Sequence, residues 1–257
     1  GYSTAQGKCM RLKKVLYGLK QSAHLWNQVL NEFLINAGFK RTKSDLCVYA
    51  KFDESNSPVC IVGVFVDDIP VLGRTLEDVK WFKKRIQSKF RINDLGEATS
   101  LLGIQLSRDR KRRQMKLSQR AYVESMARRF ECPQRPAHTP SVGTDRLHNW
   151  PGRNPEERGD QKGYMELVGS LLYATMSTRF DVRHRVRELC SFMGDPSVVH
   201  YQAAIRVLSY LRTHPNLGLV YSGVEGEDIT LTAFCDSDHL SCPKTGQSVG
   251  GYVIFLG

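Results

Sequence analysis

Apolar positions recur along the first half of the chain at two spacings, one typical of helices and one typical of short strands. Ala23, Trp26 and Leu30 begin a series at helical spacing, and Gly38 follows it as a stop. Runs rich in Val and Ile between polar turns indicate strands. The predicted elements are a helix over 23–37, strands over 46–52, 59–66 and 69–72, a helix over 75–90 that begins with a capping box, a hairpin over 100–117 and a helix capped by Ser118.

The pattern changes after residue 131. Five prolines lie in the polar stretch 132–160, which predicts an extended connection between modules. Helices are predicted at 163–178, 181–193 and 196–213, and strands at 218–221, 229–235 and 249–256. The predicted apolar stripe of the last helix is Val198, Tyr201, Ile205, Leu208 and Leu211. The order of elements predicts an α+β fold.

Two adjacent carboxylates, Asp67 and Asp68, lie between two of the predicted strands. This position predicts the bend of a hairpin rather than a solvated loop. Carboxylates against an apolar sheet are costly unless a cation neutralises them, and hard oxygen ligands suit Mg²⁺. Asp is also a common turn residue, and taken alone this pair favours an ordinary turn.

Charge and cysteine content narrow the class of protein. Lys and Arg exceed Asp and Glu by 37 to 26, a net charge of +11. This excess favours a polyanionic partner such as nucleic acid, although a basic but otherwise ordinary protein has the same balance. The chain has no apolar run of membrane-spanning length and no signal peptide at its start. Seven cysteines without a disulfide framework predict an intracellular protein, cytoplasmic or nuclear and not secreted.

Two further features bear on metal binding and on completeness. Cys235, His239 and Cys242 have no fourth ligand at suitable spacing, so no zinc site is predicted. The chain lacks an initiator Met and ends abruptly at Gly257, which suggests a segment of a longer polypeptide.

An ordered series of motifs resembles the reverse transcriptase of copia-type LTR retrotransposons. Each motif is weak alone, but their order and spacing together are specific, and they cover nearly the whole chain. The series comprises Leu16-Tyr17-Gly18-Leu19-Lys20-Gln21-Ser22 with Trp26, Val66-Asp67-Asp68, Phe90 with Asp94-Leu95-Gly96, Leu102-Gly103-Ile104, Leu117-Ser118-Gln119 with Tyr122, Val168-Gly169-Ser170-Leu171-Leu172-Tyr173, Arg179-x-Asp181, Pro196 with His200, and Arg206-Val207-Leu208-x-Tyr210-Leu211.

The resemblance implies two-metal nucleotidyl transfer on a template–primer duplex with deoxynucleotides. Asp67 and Asp68 would hold two Mg²⁺ ions roughly 3.5–4 Å apart. Because neighbouring strand side chains point to opposite faces, we expect Asp67 to be the direct ligand. Lys20 and Gln21 would lie near the template and nucleotide, although Lys20 is also compatible with an ordinary surface residue. Phe65 occupies the family's usual Tyr position, where its ring would pack near the sugar.

The same resemblance implies a partial polymerase palm and thumb over 1–131, a connection region over 132–215, and the start of a ribonuclease H-like module over 216–257. Asp236 would be a metal ligand of that last module, with the site incomplete. Polymerases of this class need a further upstream Asp, so we expect this chain alone to be inactive as a polymerase.

Three other interpretations stay open at this point. They are a non-catalytic basic nucleic-acid-binding remnant, an unstable product of a decayed gene, and an unrelated metal-dependent nuclease. The basic turn from Arg108 to Arg113 is equally compatible with contacts to a phosphate backbone and with a solvated hairpin tip. Trp26 and Trp81 are predicted to be core residues.

Overall fold

The structure is a computed structural model of the chain, and it describes residues 16, 18–142, 147, 159–223, 230–238 and 246–256. The chain divides into two compact units, Gly1–Glu97 and Ala98–Gly257. Its mixture of helices and antiparallel sheets agrees with the predicted α+β class. The functional regions predicted from the resemblance, with boundaries after 131 and 215, do not coincide with these units and stay predictions.

The first unit is a four-stranded antiparallel sheet with two helices. Its elements are α1 (Ser22–Asn36), β1 (Lys40–Arg41), β2 (Val48–Phe52), β3 (Pro58–Gly63), β4 (Val71–Gly73) and α2 (Leu76–Gln87). The sheet has the order β1-β2-β3-β4, so β4 is an edge strand. Leu34 of α1, Val62 of β3 and Phe82 of α2 are buried in one common core. The capping box at the start of α2 is confirmed, since Thr75 and Asp78 bond each other's backbone N–H.

The second unit contains a further four-stranded antiparallel sheet of order β5-β6-β7-β8. Its strands are β5 (Ser100–Leu101), β6 (Ile104–Asp109), β7 (Gln114–Ser118) and β8 (Gly218–Ser222). The first strand of the hairpin predicted over 100–117 is broken by a turn at Leu102-Gly103, where both residues have positive φ. Strand β8, which the resemblance assigns to the start of the last module, pairs with β7.

Four helices form the core of this second unit. They are α3 (Arg120–Arg129), α4 (Gln161–Ser177), α5 (Arg183–Cys190) and α6 (Val198–Thr213), with a 3-10 turn at Phe180–Val182 before α5. A separate two-stranded hairpin, β9 (Leu231–Ser237) with β10 (Gly250–Leu256), completes the described part.

Two predictions about these helices were wrong in detail. Ser118 does not cap α3: it is the last residue of β7, and Gln119 precedes the helix without a side-chain cap. The predicted apolar stripe of α6 holds for Leu208 and Leu211, which are buried, and for Tyr201 and Ile205, which pack against the core, but Val198 is 41% exposed. The buried face is also wider than the predicted stripe, since Ala204, Val207 and Ser209 are buried as well.

The first part of the proline-rich stretch is not a free linker. Ser209 Oγ donates to the Arg135 carbonyl at 2.6 Å, and the Ala137 N–H donates to Thr213 Oγ1 at 3.0 Å. Arg212 donates to the Cys132 carbonyl at 3.1 Å. These bonds fix the backbone after α3 along α6, because its polar groups find partners on that helix. Residues 148–158 lie outside the described part.

An ion pair made by a buried arginine explains one of the sequence motifs. Arg179 is 1% exposed, and its guanidinium donates to both carboxylate oxygens of Asp181 at 3.0 and 2.8 Å and to the His214 carbonyl at 3.0 Å. Burial opposes ionisation of Asp181, but the bonds from Arg179 outweigh it and lower the pKa of that carboxyl. The Arg-x-Asp motif is therefore a structural feature of the second unit.

Candidate metal site at the carboxylate turn

The two carboxylates lie in a tight turn at the tip of the β3–β4 hairpin. Phe65 and Asp68 exchange two backbone hydrogen bonds of 2.9 Å each, which leaves Val66 and Asp67 as the central residues. We call residues 65–68 the carboxylate turn. The predicted hairpin with an Asp pair at its bend is confirmed. Pro70 is accommodated just before the edge strand, and its carbonyl accepts the Gly63 N–H at 3.0 Å.

The backbone of the carboxylate turn is strained at Val66, which has a φ of +55°. Asp67 is not among the residues with positive φ, and this sign pattern matches a type II′ turn. Glycine is the usual residue at the first central position of such turns, and a β-branched residue there is a clear outlier. Strain of this kind costs about 1–3 kcal/mol and persists only where surrounding contacts hold it.

Trp26 supplies one of those contacts. Its indole Nε1–H donates to the Val66 carbonyl at 2.6 Å, and its ring packs edge-on against Phe90 with centroids 5.3 Å apart. The side chain is half-buried against the core of the first unit, as predicted for a core residue. The same prediction was wrong for Trp81, which is 39% exposed. The hydrogen bond ties helix α1 to the carbonyl directly before Asp67, so the core fixes the backbone of the carboxylate turn.

Sequence reasoning missed this positioning role of Trp26. An apolar stripe shows which side of a helix faces the core, but it does not show which acceptor an indole N–H on that side will bond. The available signal was chemical, since a Trp that is largely buried usually finds an acceptor for its single donor. The strain at Val66 had no signal, because Val at that position predicts a strand.

Asp67 and Asp68 are both exposed, which corrects the expectation that they would be sheltered from solvent against the sheet. The reason is geometric: a two-residue hairpin tip extends beyond the last paired residues and leaves its side chains without neighbours. Within the described part of the chain, neither carboxylate has a hydrogen bond or ion pair. Their four oxygens are therefore available to a hard cation, which is the ligand chemistry that Mg²⁺ accepts.

The described residues contain no group of three Asp, Glu, His or Cys side chains arranged to hold a metal ion. The carboxylate turn thus presents two donor groups, fewer than a closed metal site needs. His239 and Cys242 of the rejected zinc pattern lie outside the described residues.

Lys20 and Gln21 lie in a turn that leads directly into α1. The Ser22 N–H donates to the Leu19 carbonyl at 3.0 Å, and the Ser22 hydroxyl donates to the Leu16 carbonyl at 2.6 Å. Gly18 has a φ of +90°, which only glycine adopts readily. Both Lys20 and Gln21 are exposed, and they precede Trp26 on the same segment. Tyr17 lies outside the described residues.

The structure gathers some of the predicted site residues and separates others. Phe65, Asp67 and Asp68 share the carboxylate turn, and Phe65 is 53% exposed beside them. Asp236 lies in the second unit, on the exposed hairpin β9–β10, where its Oδ1 accepts the Ser237 N–H at 2.9 Å. No helix in the described ranges is long and apolar enough to cross a membrane.

Comparisons with known proteins agree with the motif series. A family model described as reverse transcriptase (RNA-dependent DNA polymerase) matches residues 1–142. The retrovirus-related Pol polyprotein from transposon TNT 1-94 of Nicotiana tabacum is 32% identical over 98% of this chain and 19% of its own length. The one from transposon RE1 of Arabidopsis thaliana is 30% identical over 96% of this chain and 16% of its own length.

A third relative is of similar size to this chain. The putative transposon Ty5-1 protein of Saccharomyces cerevisiae is 29% identical over 94% of this chain and 76% of its own length. The chain therefore spans less than a fifth of the length of the two plant polyproteins and most of the yeast protein. No solved structure matches significantly. The family match over residues 1–142 and the relatives that cover nearly all of the chain show that it belongs to the reverse transcriptase (RNA-dependent DNA polymerase) family of copia-type retrotransposon Pol polyproteins.

Proposed function

We propose that this chain contributes the carboxylate turn of an RNA-directed DNA polymerase, within a longer Pol polyprotein that carries out two-metal nucleotidyl transfer. The observation that carries the proposal is the state of Asp67 and Asp68. Both carboxylates are exposed at the tip of the β3–β4 hairpin, and neither has a partner within the described residues. Unpaired carboxylates on a strained, tethered turn are suited to holding a ligand rather than to stabilising the fold.

Each residue of the site has a role in this proposal. Asp67, directly after the tethered Val66 carbonyl, is the principal metal ligand, and Asp68 has a lesser part. When bound, two Mg²⁺ ions supply charge stabilisation for a primer 3′-hydroxyl that attacks the α-phosphate of a deoxynucleotide. Phe65 offers an exposed ring beside the carboxylates that can pack against the sugar.

Lys20 and Gln21 complete the proposed substrate contacts. A lysine ammonium and a glutamine amide, both exposed at the start of α1, can bind the phosphate and base groups of template and nucleotide. Their link to the carboxylate turn is the helix itself, since Trp26 follows on α1 and donates to Val66.

We further propose that β9 and β10 belong to a ribonuclease H-like module, with Asp236 as one of its metal ligands. All the residues of both strands are exposed, and apolar side chains occupy both faces of the hairpin. Leu231 and Leu256 pair on one face and Phe234 and Val253 on the other. Two apolar faces are typical of strands that are covered on both sides.

A metal titration tests the carboxylate turn directly. Mn²⁺ binding to the intact chain is measured by electron paramagnetic resonance for the wild type, Asp67→Asn, Asp68→Asn and a matched control, Glu54→Gln. Glu54 is an exposed acid in the turn at the other end of β3. We expect Asp67→Asn to weaken binding by about tenfold or more, on the scale of 1.4 kcal/mol per decade. Asp68→Asn should have a smaller effect and Glu54→Gln none.

Equal losses in all three variants, or none in any, would contradict the metal role of the turn. Primer extension on an RNA template, followed with Mg²⁺ and deoxynucleotides, tests the second part of the proposal. We expect no extension by this chain alone, because the turn offers two carboxylates. Robust Mg²⁺-dependent extension that Asp67→Asn abolishes would confirm the polymerase role and refute the expected inactivity. Nucleic-acid binding that is insensitive to Mg²⁺ and to Asp67→Asn, with no metal binding at the turn, would favour a non-catalytic binding module.

A further inference from the structure

The basic charge of the chain is concentrated in one segment of the second unit. Residues 98–142 contain ten Lys and Arg against three Asp and Glu, a net charge of +7 out of +11 for the whole chain. Six of the ten basic residues lie in the β6–β7 hairpin, between positions 108 and 116. A local excess of this size produces a strong positive potential over the surface around it.

Part of this hairpin forms one wall of a cavity of about 510 Å³. We call it the arginine groove, and its lining residues are Arg108, Arg110, Arg113, Gln114, Met115, Tyr221, Ser222 and Gly223. The strand register explains how they meet. Arg108 of β6 is opposite Met115 of β7, which is opposite Tyr221 of β8, so the three side chains form one row on one face of the sheet.

The aromatic member of this row is open to solvent. Tyr221 is 55% exposed and lies on β8, an edge strand of its sheet. The neighbouring row on the same face consists of Leu106, Leu117 and Leu219, which are half-buried. The face therefore presents one exposed ring, on an apolar base, beside three guanidinium groups.

Not every arginine of the hairpin contributes to the groove. Lys111 and Arg112 lie at the tip of the same turn but do not line it. Arg112 pairs with Asp109, with Nε and Oδ2 3.8 Å apart. Arg110 and Arg113 also have interactions within the protein, so a ligand must compete for them. Because some basic residues line the groove and others lie outside it, substitutions can distinguish the effect of the groove from that of the total charge of the turn.

We propose that the arginine groove binds a single-stranded segment of nucleic acid, with one base stacked on Tyr221 and the adjacent phosphates on Arg108, Arg110 and Arg113. Stacking on an exposed ring beside basic side chains is the general chemistry of single-strand binding. A base within a duplex does not present its face to a protein, which is why the ring favours an unpaired strand. The inference adds a nucleic-acid surface to the proposed polymerase function and uses no residue of the carboxylate turn.

Fluorescence anisotropy of the full chain with labelled oligonucleotides tests the proposal. The probes are a single-stranded RNA, a single-stranded DNA of the same mixed sequence, and the corresponding duplex, each about a dozen nucleotides long. Two double variants remove the same charge, Arg108→Ala with Arg113→Ala from the groove and Lys111→Ala with Arg112→Ala from the tip. We expect the groove pair to weaken single-strand binding about tenfold and the tip pair about threefold or less.

The tyrosine is tested separately from the arginines. Tyr221→Leu should weaken single-strand binding by about five- to tenfold, within the range that stacking of one base supplies. Tyr221→Phe keeps the ring and should bind like the wild type, which also shows that β8 tolerates substitution. Thermal unfolding of each variant confirms that the sheet is intact.

Three results would overturn the proposal. Equal losses in the two double variants would mean that only total charge matters. Duplex binding as tight as single-strand binding, and insensitive to Tyr221→Leu, would mean a phosphate surface without stacking. Absence of binding to all three probes would refute a nucleic-acid groove. Glu54→Gln should leave single-strand binding unchanged. The groove assay and the metal titration depend on different residues, so failure of the groove and failure of the carboxylate turn are distinguishable.

Discussion

Strand β3 has a turn with carboxylates at each end, and the two turns use their acids in opposite ways. At the β2–β3 turn, Asp53 accepts hydrogen bonds from Ser55 Oγ at 2.7 Å, the Ser57 N–H at 2.9 Å and Arg74 Nη1 at 2.7 Å. At the β3–β4 turn, Asp67 and Asp68 accept none within the described part of the chain. Asp53 holds its own turn together through these bonds. Asp67 and Asp68 make no such bonds, and their turn is held by Trp26 through the Val66 carbonyl.

The two turns also differ in the interactions of their carboxylates and in the residue that adopts a positive φ. Hydrogen bonds from Ser55, Arg74 and Ser57 hold the pKa of Asp53 well below its usual range. The positive-φ residue of that turn is Asn56, at +60°, a type that tolerates this conformation. The carboxylate turn has Val66 at +55° instead and relies on the Trp26 hydrogen bond. The β2–β3 turn satisfies its own acid, whereas the carboxylate turn leaves its two acids unpaired and is held by a hydrogen bond from the core.

The largest expected effect comes from Trp26. Trp26→Ala removes a half-buried ring and the bond to the Val66 carbonyl, and should cost about 2–3 kcal/mol of unfolding free energy. Trp26→Phe keeps a ring against Phe90 and should cost about 1 kcal/mol. Urea unfolding followed by circular dichroism measures both values.

Hydrogen exchange separates positioning from packing in these variants. Trp26→Phe should speed exchange in the peptide over 64–70 and weaken Mn²⁺ binding at the turn. Trp81→Phe is the matched control, since Trp81 stacks on Phe39 and under Lys51, away from the acids of the turn. Unchanged exchange and Mn²⁺ affinity in Trp26→Phe would assign the indole a packing role alone.

A smaller effect is expected from relieving the strain at Val66. Val66→Gly should raise the unfolding free energy by about 0.5–1 kcal/mol, because glycine adopts the positive φ at no steric cost and little burial is lost from a side chain 49% exposed. Asn56→Gly at the other end of β3 should change stability by only a few tenths of a kcal/mol. The measurement is urea unfolding of the two variants in parallel.

Metal binding by Val66→Gly should change in the opposite direction to its stability. We expect Val66→Gly to weaken Mn²⁺ binding while it stabilises the fold, because a freer backbone positions Asp67 less well. Destabilisation by Val66→Gly, or similar shifts from both glycine variants, would show that the conformation at Val66 is not strained.

The smallest expected effect is a pH dependence that belongs to Asp53. Its folded pKa is depressed, so the unfolded chain binds the proton more tightly in acid. The stability that Asp53 contributes is complete above the ordinary carboxyl pKa of 3.8 and is lost as the pH falls below it. The melting temperature of Asp53→Asn should therefore lie below that of the wild type by a constant amount from pH 7 to about pH 5, and the gap should narrow as the pH falls from there to pH 3. A gap that stays constant down to pH 3 would contradict the assignment.

Most elements of this fold follow from local patterns. The series from Ala23 to Ala37 predicted α1, Thr75 with Asp78 predicted the start of α2, and the Val-rich runs predicted the hairpin around Asp67. The prediction that Ser118 caps α3 was wrong because serine is found at the ends of strands as well as at helix starts, and here it ends β7. The apolar spacing found most of the buried face of α6 but not its width, because a helix covered on several sides buries residues beyond a single stripe.

The sequence by itself determined which side chains could do chemistry: two adjacent acids after an apolar run, a basic hairpin, and a motif series that identified the family. Only the tertiary structure decided which of them are available. Asp181 pairs with the buried Arg179, the serines of the β2–β3 turn and Arg74 bind Asp53, and the hairpin tip leaves Asp67 and Asp68 open. The register of β6, β7 and β8 places Tyr221 in one cross-strand row with Arg108, with Met115 between them, across more than a hundred residues of chain. Residue type sets what a group can bind, whereas neighbours distant in sequence set whether it is free to do so.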